Sequence, residues 1–370
     1  RNIVLTSNVV TTGLTIIIES GSSLTLEGYE FTGGILKLEG QGRLRISHSY
    51  FPSVTTNQLV TEDGGTVEYY DFTGNLPGSQ AEYNHLVLNT TNGGDNHFIL
   101  GHDVSLYGDF TLKRTATSGS TGFTLGNSTD VRNLNIKGNM TLGENTYAEV
   151  GNHDAIHQIE ITGNLENDGS IDLTNGSRYS VSSSGAAELT FKGAEDAAIT
   201  GTGTTLDLYR LIVDKGVDQA HSLYVNPLAL DLYYATDQAN AGTGSNPDID
   251  KALWIKNGTL RLGPNINIPE LTSGGSNFYV PQNGALWIDG ASVSITNAGA
   301  GTPATGMTVI GKVIITSGTL HGGDGNGLQY EGTSGQFIIQ GGEVNVSQVR
   351  PSGLAGTHYG TYNQSGGTVN

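Results

Sequence analysis

Apolar and polar residues alternate in short runs along most of the chain, as in Leu24-Thr-Leu26, Leu36-Lys-Leu38, Leu44-Arg-Ile46 and Val67-Glu-Tyr69. A period of two marks strands with one buried face, and the 3.6-residue period of helices is almost absent. Between the runs stand Gly-Ser-Ser, Gly-Gly, Gly-Gln-Gly and Asp-Gly-Gly. Glycine, serine and aspartate tolerate tight or left-handed backbone, so these clusters read as corners. The gaps are too short for crossover helices, which excludes βαβ units.

The corners recur at a period. Val104-Ser-Leu106-Tyr-Gly108-Asp109-Phe110-Thr-Leu112 returns as Leu134-Asn-Ile136-Lys-Gly138-Asn139-Met140-Thr-Leu142, and again as Ile159-Glu-Ile161-Thr-Gly163-Asn164-Leu165. A second phrase runs through the C-terminal third: Asn257-Gly258-Thr-Leu260, Asn283-Gly284-Ala-Leu286, Ser317-Gly318-Thr-Leu320, Gly341-Gly342-Glu-Val344 and Gly366-Gly367-Thr-Val369. Its glycines are 26, 34, 24 and 25 residues apart. One such turn cannot bury its own apolar face, so turns must stack. The predicted fold is all-β, a right-handed parallel β-helix with about 25 residues per coil. Asn139, Asn164, Asn257 and Asn283 stand beside the corner glycines, where stacked amides form ladders.

Domain organisation follows the rhythm. Residues 1–215 read as N-terminal coils and 251–370 as C-terminal coils. Residues 216–250, with Tyr224, Tyr233, Tyr234 and Ala-Gly-Thr-Gly-Ser-Asn-Pro, break the period and read as an irregular excursion. The chain opens at Arg1 without a signal peptide and stops at Asn370 inside a fresh copy of the second phrase. Both ends are therefore expected to be cut from something longer.

Composition narrows the function. There are 55 glycines, 17 Lys+Arg and 35 Asp+Glu, a net charge of −18. Nucleic acid is an unfavourable partner, because phosphate binding needs clustered cations. With no cysteine, disulfides and thiolate metal sites are excluded. No apolar run approaches the roughly 18 residues of a membrane span.

Several phrases resemble the repetitive regions of large secreted and cell-surface proteins of Bacteroidota. Asp63-Gly64-Gly65-Thr66-Val67-Glu68-Tyr69, followed by Tyr83-Asn84-His85-Leu86-Val87-Leu88, is similar to their Gly-Thr-Val-Glu-Tyr grammar. So is Ile161-Thr-Gly163-Asn164-Leu165-Glu-Asn167-Asp168-Gly169-Ser-Ile171-Asp-Leu173. The resemblance implies export, commonly through the type 9 system, and an adhesin, stalk or gliding-related role at the cell surface. Its implied partners are cell-surface glycans or proteins of the surface and secretion machinery.

Candidate chemistry is sparse. The same fold hosts polysaccharide lyases and glycoside hydrolases, which need converging carboxylates, with an arginine or lysine base in the lyases. Glu62, Asp63, Asp168 and Asp172 are scattered over corners, so the reading is non-enzymatic, with a carbohydrate-active β-helix enzyme as the alternative. His153 and His157 share a strand face only about 13 Å apart, too far for one ion. Gly322-Gly323-Asp324-Gly325-Asn326-Gly327-Leu328 partly matches a calcium-binding nonapeptide, but Asn326 replaces its key aspartate and the unit occurs once. No cofactor is expected beyond that weak calcium match. Trp254 and Trp287 lie in matching phrases, Ala252-Leu-Trp254-Ile and Ala285-Leu-Trp287-Ile. If the flanking apolar residues point inward, both tryptophans face outward on one side, as candidate sugar-stacking residues or as packing for the excursion. The expected function is an extracellular β-helical stalk or adhesin region that presents an extended contact surface.

Overall fold

In a computed structural model the chain folds as a parallel β-solenoid. The structure describes residues 1–153, 155–174, 185–232, 252–269, 271, 277–295, 306–322, 327–351 and 360–370. Among them the regular elements are all strands. One column of direct parallel partners runs from end to end: Ile3, Leu24, Leu44, Val67, Leu86, Phe110, Met140, Leu165, Ile199, Val225, Leu262, Ile288, Ile315, Ile339 and Gln364. Successive members lie 19 to 37 residues apart, mostly near 25. From Leu44 to Ile339 none is more than 2% exposed. Alternation thus sends one row of side chains into the shaft and the next row out. One run departs from the simple reading: Leu36 is exposed, and Ile35 and Leu38 take the inward positions.

This column defines the first face. A second face stacks Asn96–Leu100, Thr121–Leu125, Thr146–Val150, Ser170–Asp172, Thr205–Leu208 and Asp231–Leu232. A third stacks Val104–Leu106, Asn133–Ile136, Ile156–Ile161, Ala186–Phe191, Arg210–Asp214 and the start of Leu253–Leu262. The three faces enclose a shaft filled by ladders such as Leu106, Ile136, Ile161, Phe191, Val213 and Ile255, each at most 2% exposed. Burying such ladders is what holds turns together, at about 25 cal/mol per Å² of apolar area.

The first repeated phrase is one structural unit. Val104, Leu134 and Ile159 are register partners, as are Phe110, Met140 and Leu165. The second phrase is two units. Leu260 and Leu286 share the first face, whereas Leu320, Val344 and Val369 stack on a different ladder with Val293 and Ile268. The 34-residue step between Gly284 and Gly318 is where the phrase moves from one corner to the next. In the stretch 216–250, Ser222–Val225 belongs to the first-face ladder and Asp231–Leu232 to the second. Residues 233–250, including Tyr233 and Tyr234, lie outside the described residues.

Candidate functional site

On the first face, outward side chains of four successive turns converge. Arg43 and Arg45 flank inward Leu44 on one strand, Glu68 stands between inward Val67 and Tyr69 on the next, and Asn89 and Lys113 follow on the two after. Register places Arg45 beside Glu68, and Tyr70, Asn89 and Lys113 in one row. Arg43, Arg45, Glu68, Asn89 and Lys113 line a groove of about 530 Å³.

Glu68 is the centre of this cluster and is only 1% exposed. Arg43 Nη1 donates to its Oε2 at 3.0 Å, Arg45 Nη2 donates to its Oε1 at 3.4 Å, and Asn89 Nδ2 donates to Oε1 at 2.9 Å. Burial pushes the Glu68 carboxyl upward. The Asn89 hydrogen bond and the charges of Arg45, Arg43 and Lys113 outweigh it, so the group sits below the ordinary carboxylate range and stays ionised. The Arg45 guanidinium lies 4.4 Å from the centre of the Tyr70 ring, which fixes its plane. Asn89 Oδ1 accepts the Thr115 hydroxyl at 3.2 Å, carrying the network one turn further. Burial holds Lys113 below the usual lysine range, opposed by Glu68 and reinforced by both arginines. The arrangement presents cations above a neutralised floor, suited to holding anionic and hydroxylated groups.

The tryptophans do not share a side. The residues expected to point inward do so: Leu253, Ile255, Leu286 and Ile288 are at most 2% exposed. Yet Trp254 pairs with Ile212 on the third face, and Trp287 pairs with Arg261 and Ile314 on the first. The shared phrase precedes its glycine corner in one case and follows it in the other, so one four-residue pattern occupies two faces. Trp254 carries the Lys256 ammonium 4.0 Å from its ring centre. Trp287 belongs to a stack of three register neighbours: the Arg261 guanidinium lies 5.0 Å from the Tyr224 ring centre and 4.3 Å from that of Trp287. Trp287 Nε1 donates to Thr316 Oγ1 at 2.9 Å, and Thr316 donates to Asp289 Oδ1 at 2.7 Å. Arg261 is ion-paired to Asp289 at 2.5 Å.

The remaining candidates separate. His157 is buried, its Nδ1 accepting the Arg132 backbone N–H at 3.0 Å, while His153 is exposed on a loop. Asp168 accepts the backbone N–H and hydroxyl of Thr202, each at 2.8 Å, and these bonds hold its carboxyl below the usual range. Asp172 caps Thr174 in the same manner, and Glu62 and Asp63 are exposed on a turn. Among the described residues no three His, Asp or Glu side chains are grouped to hold a metal. Of the nonapeptide match, residues 323–326 lie outside the described residues. The described residues contain no helix long and apolar enough to cross a membrane.

The fold and this groove define the molecule as a β-solenoid with a cationic cleft on one face. No protein-family model matches the chain, and no curated protein or solved structure matches it significantly. Alternation alone did not bring out the groove, yet the sequence carries a signal for it. Arg45, Glu68, Asn89 and Lys113 follow one another at intervals of 23, 21 and 24 residues, so charges read at the coil period converge.

Proposed function

We propose that this chain is the β-helical part of an extracellular bacterial surface protein, a spacer whose outward faces contact glycans. The single observation that carries the reading is the state of Glu68. The one carboxylate in the groove is buried and engaged by two arginines and Asn89, so what the groove offers a ligand is cations, hydroxyls and amides. A glycosidase needs a pair of available carboxylates at its reacting centre. The Tyr224–Arg261–Trp287 stack on the same face supplies a second contact surface, with aromatic rings of the kind on which sugars pack. The family resemblance supports a place outside the cell and contacts with cell-surface glycans or surface proteins.

A glycan-array screen of the chain, with and without calcium and with product analysis of every bound glycan, tests this reading. Binding without turnover is the expected result. Cleaved or unsaturated products would overturn it in favour of a carbohydrate-active β-helix enzyme. Silence on all glycans would remove the contact role.

A further inference from the structure

We propose that the groove floored by Glu68 binds a stretch of acidic polysaccharide, its carboxylate or sulfate groups held by Arg43, Arg45 and Lys113 and its hydroxyls by the polar side chains between them. This deepens the glycan-contact reading above and rests on it.

Charge placement is the first argument. The chain has only 17 lysines and arginines against 35 acids, and three of those cations meet here around one carboxylate. In a protein of net charge −18 a cationic cleft is a local inversion of the field, which concentrates anions at that spot. Two of the three cations are positioned by bonds to Glu68 and, for Arg45, by Tyr70. The Lys113 ammonium makes no hydrogen bond or ion pair with any described residue, although it is partly buried and held below its ordinary pKa. A partly desolvated cation that feels the Glu68 charge but has no hydrogen-bonded counter-ion among the described residues gains from an anion that reaches it.

The lining decides the class of anion. Every residue of the groove is polar or glycine, with Ser22, Gln41, Thr66 and Thr115 set around the cations. No apolar side chain is available to seat a peptide side chain, and none of the lining residues is aromatic, as stacking of a nucleobase requires. Hydroxyls and amides at strand spacing instead suit a ligand that alternates hydroxyl groups with isolated charges. The groove runs from Asn2 to Thr115 across six strands of the first face. At ~4.8 Å per strand that is on the order of 24 Å, the length of an extended chain segment rather than of a single ion. The overall acidity opposes a polymer as densely charged as nucleic acid more than it opposes a glycan with widely spaced charges.

The test uses the whole chain, an array of uronate-, sialate- and sulfate-bearing glycans beside neutral ones, and calorimetry on the best binders. Lys113→Gln is the informative variant, because the Lys113 ammonium makes no hydrogen bond or ion pair with any described residue and contributes only its charge beside Glu68. Its loss should therefore lower the melting temperature less than Arg43→Gln does. Expected results are binding of acidic glycans, weakened about tenfold by Lys113→Gln and by Arg43→Gln, and weakened further as salt rises. Trp287→Ala should leave acidic binding unchanged while lowering binding of neutral glycans. If acidic binding survives both groove variants, or falls only with Trp287→Ala, the groove assignment is overturned and the general glycan reading stands. Preference for a polyglutamate peptide or an oligonucleotide over the acidic glycans also overturns the assignment. If no glycan binds any form, the underlying reading fails as well.

Discussion

The side-chain oxygen of Asn139 accepts two hydrogen bonds from Asn164 one turn above, from its backbone N–H at 2.9 Å and from its own amide at 3.2 Å. Asn139 in turn donates both kinds of bond to Asp109 below, at 2.8 and 3.1 Å. A second ladder at another corner places Asp214, Asn257 and Asn283 in the same order. A carboxylate only accepts and an amide both donates and accepts, so each ladder begins on aspartate and continues on asparagine. Asn139→Ala removes the acceptor for the Asn164 N–H and is expected to cost about 1 kcal/mol, since water reaches this exposed corner. Asn139→Asp sets a second carboxylate on Asp109. Thermal melts should show a larger loss at neutral pH than Asn139→Ala gives, one that vanishes as the pH falls below the carboxylate range.

His157 supplies a pH dependence of definite sign. Its burial, and then the nearby Arg132 charge, depress the imidazole from an ordinary value of 6.5 to about 4. The unfolded chain therefore takes up a proton near pH 6.5 that the folded chain accepts only near pH 4. Stability falls as the pH drops through this window and levels off beneath it. The full gap amounts to up to about 3 kcal/mol. His157→Asn keeps an acceptor for the Arg132 N–H without a titrating ring. Denaturant midpoints at pH 7 and near pH 4 should fall less in the variant than in the wild type. Equal falls would refute the assignment.

Glu68 behaves oppositely. Its folded-state carboxyl lies below its unfolded value, so its contribution is present above the unfolded value and is lost as the pH falls through the folded one. Glu68→Gln retains an acceptor for Asn89 but leaves Arg43 and Arg45 facing each other without a counter-charge. A loss of about 1–3 kcal/mol is expected at neutral pH, moderated because both arginines reach solvent. The difference between wild type and variant should shrink in acid, read from the same denaturant titrations.

Some corner glycines are required by the turn beneath them, and others are not. A Cβ on Gly311 would lie 2.0 Å from the Gly284 carbonyl oxygen and 2.2 Å from that of Pro281, both backbone atoms that cannot step aside. Gly311→Ala is expected to cost about 2 kcal/mol or more. At Gly78 a Cβ would meet nothing within 4 Å. Gly78→Ala should therefore be neutral or stabilising by a few tenths of a kcal/mol, through the unfolded chain. Paired melting temperatures of the two variants separate stacking from mere turn preference.

The shaft was legible in the sequence because alternation and period each have one physical cause, inward burial and stacking. Phe110, Met140 and Leu165 align in space as their phrases align in text, and the asparagine ladders follow from the same repetition. Where turns differ in length, text and space part. The step from Val225 to Leu262 is 37 residues and that from Val67 to Leu86 is 19, so counting residues does not say which column a side chain joins. That is why Trp254 and Trp287 read as one face and occupy two. It is also why Arg45, Glu68 and Lys113, unremarkable in their own strands, become a cluster only once their turns are laid in register.

The unbroken column from Ile3 to Gln364 also sets how the chain finds its shape. Almost every partner lies about one turn away along the sequence, so no segment must search for a distant mate before contacts form. The largest cost is closing the first loop of roughly 25 residues, and each later turn docks on a finished template. Such a molecule should assemble as a zipper from a nucleus and, pulled by its ends, yield turn by turn rather than all at once, dissipating load in many small steps.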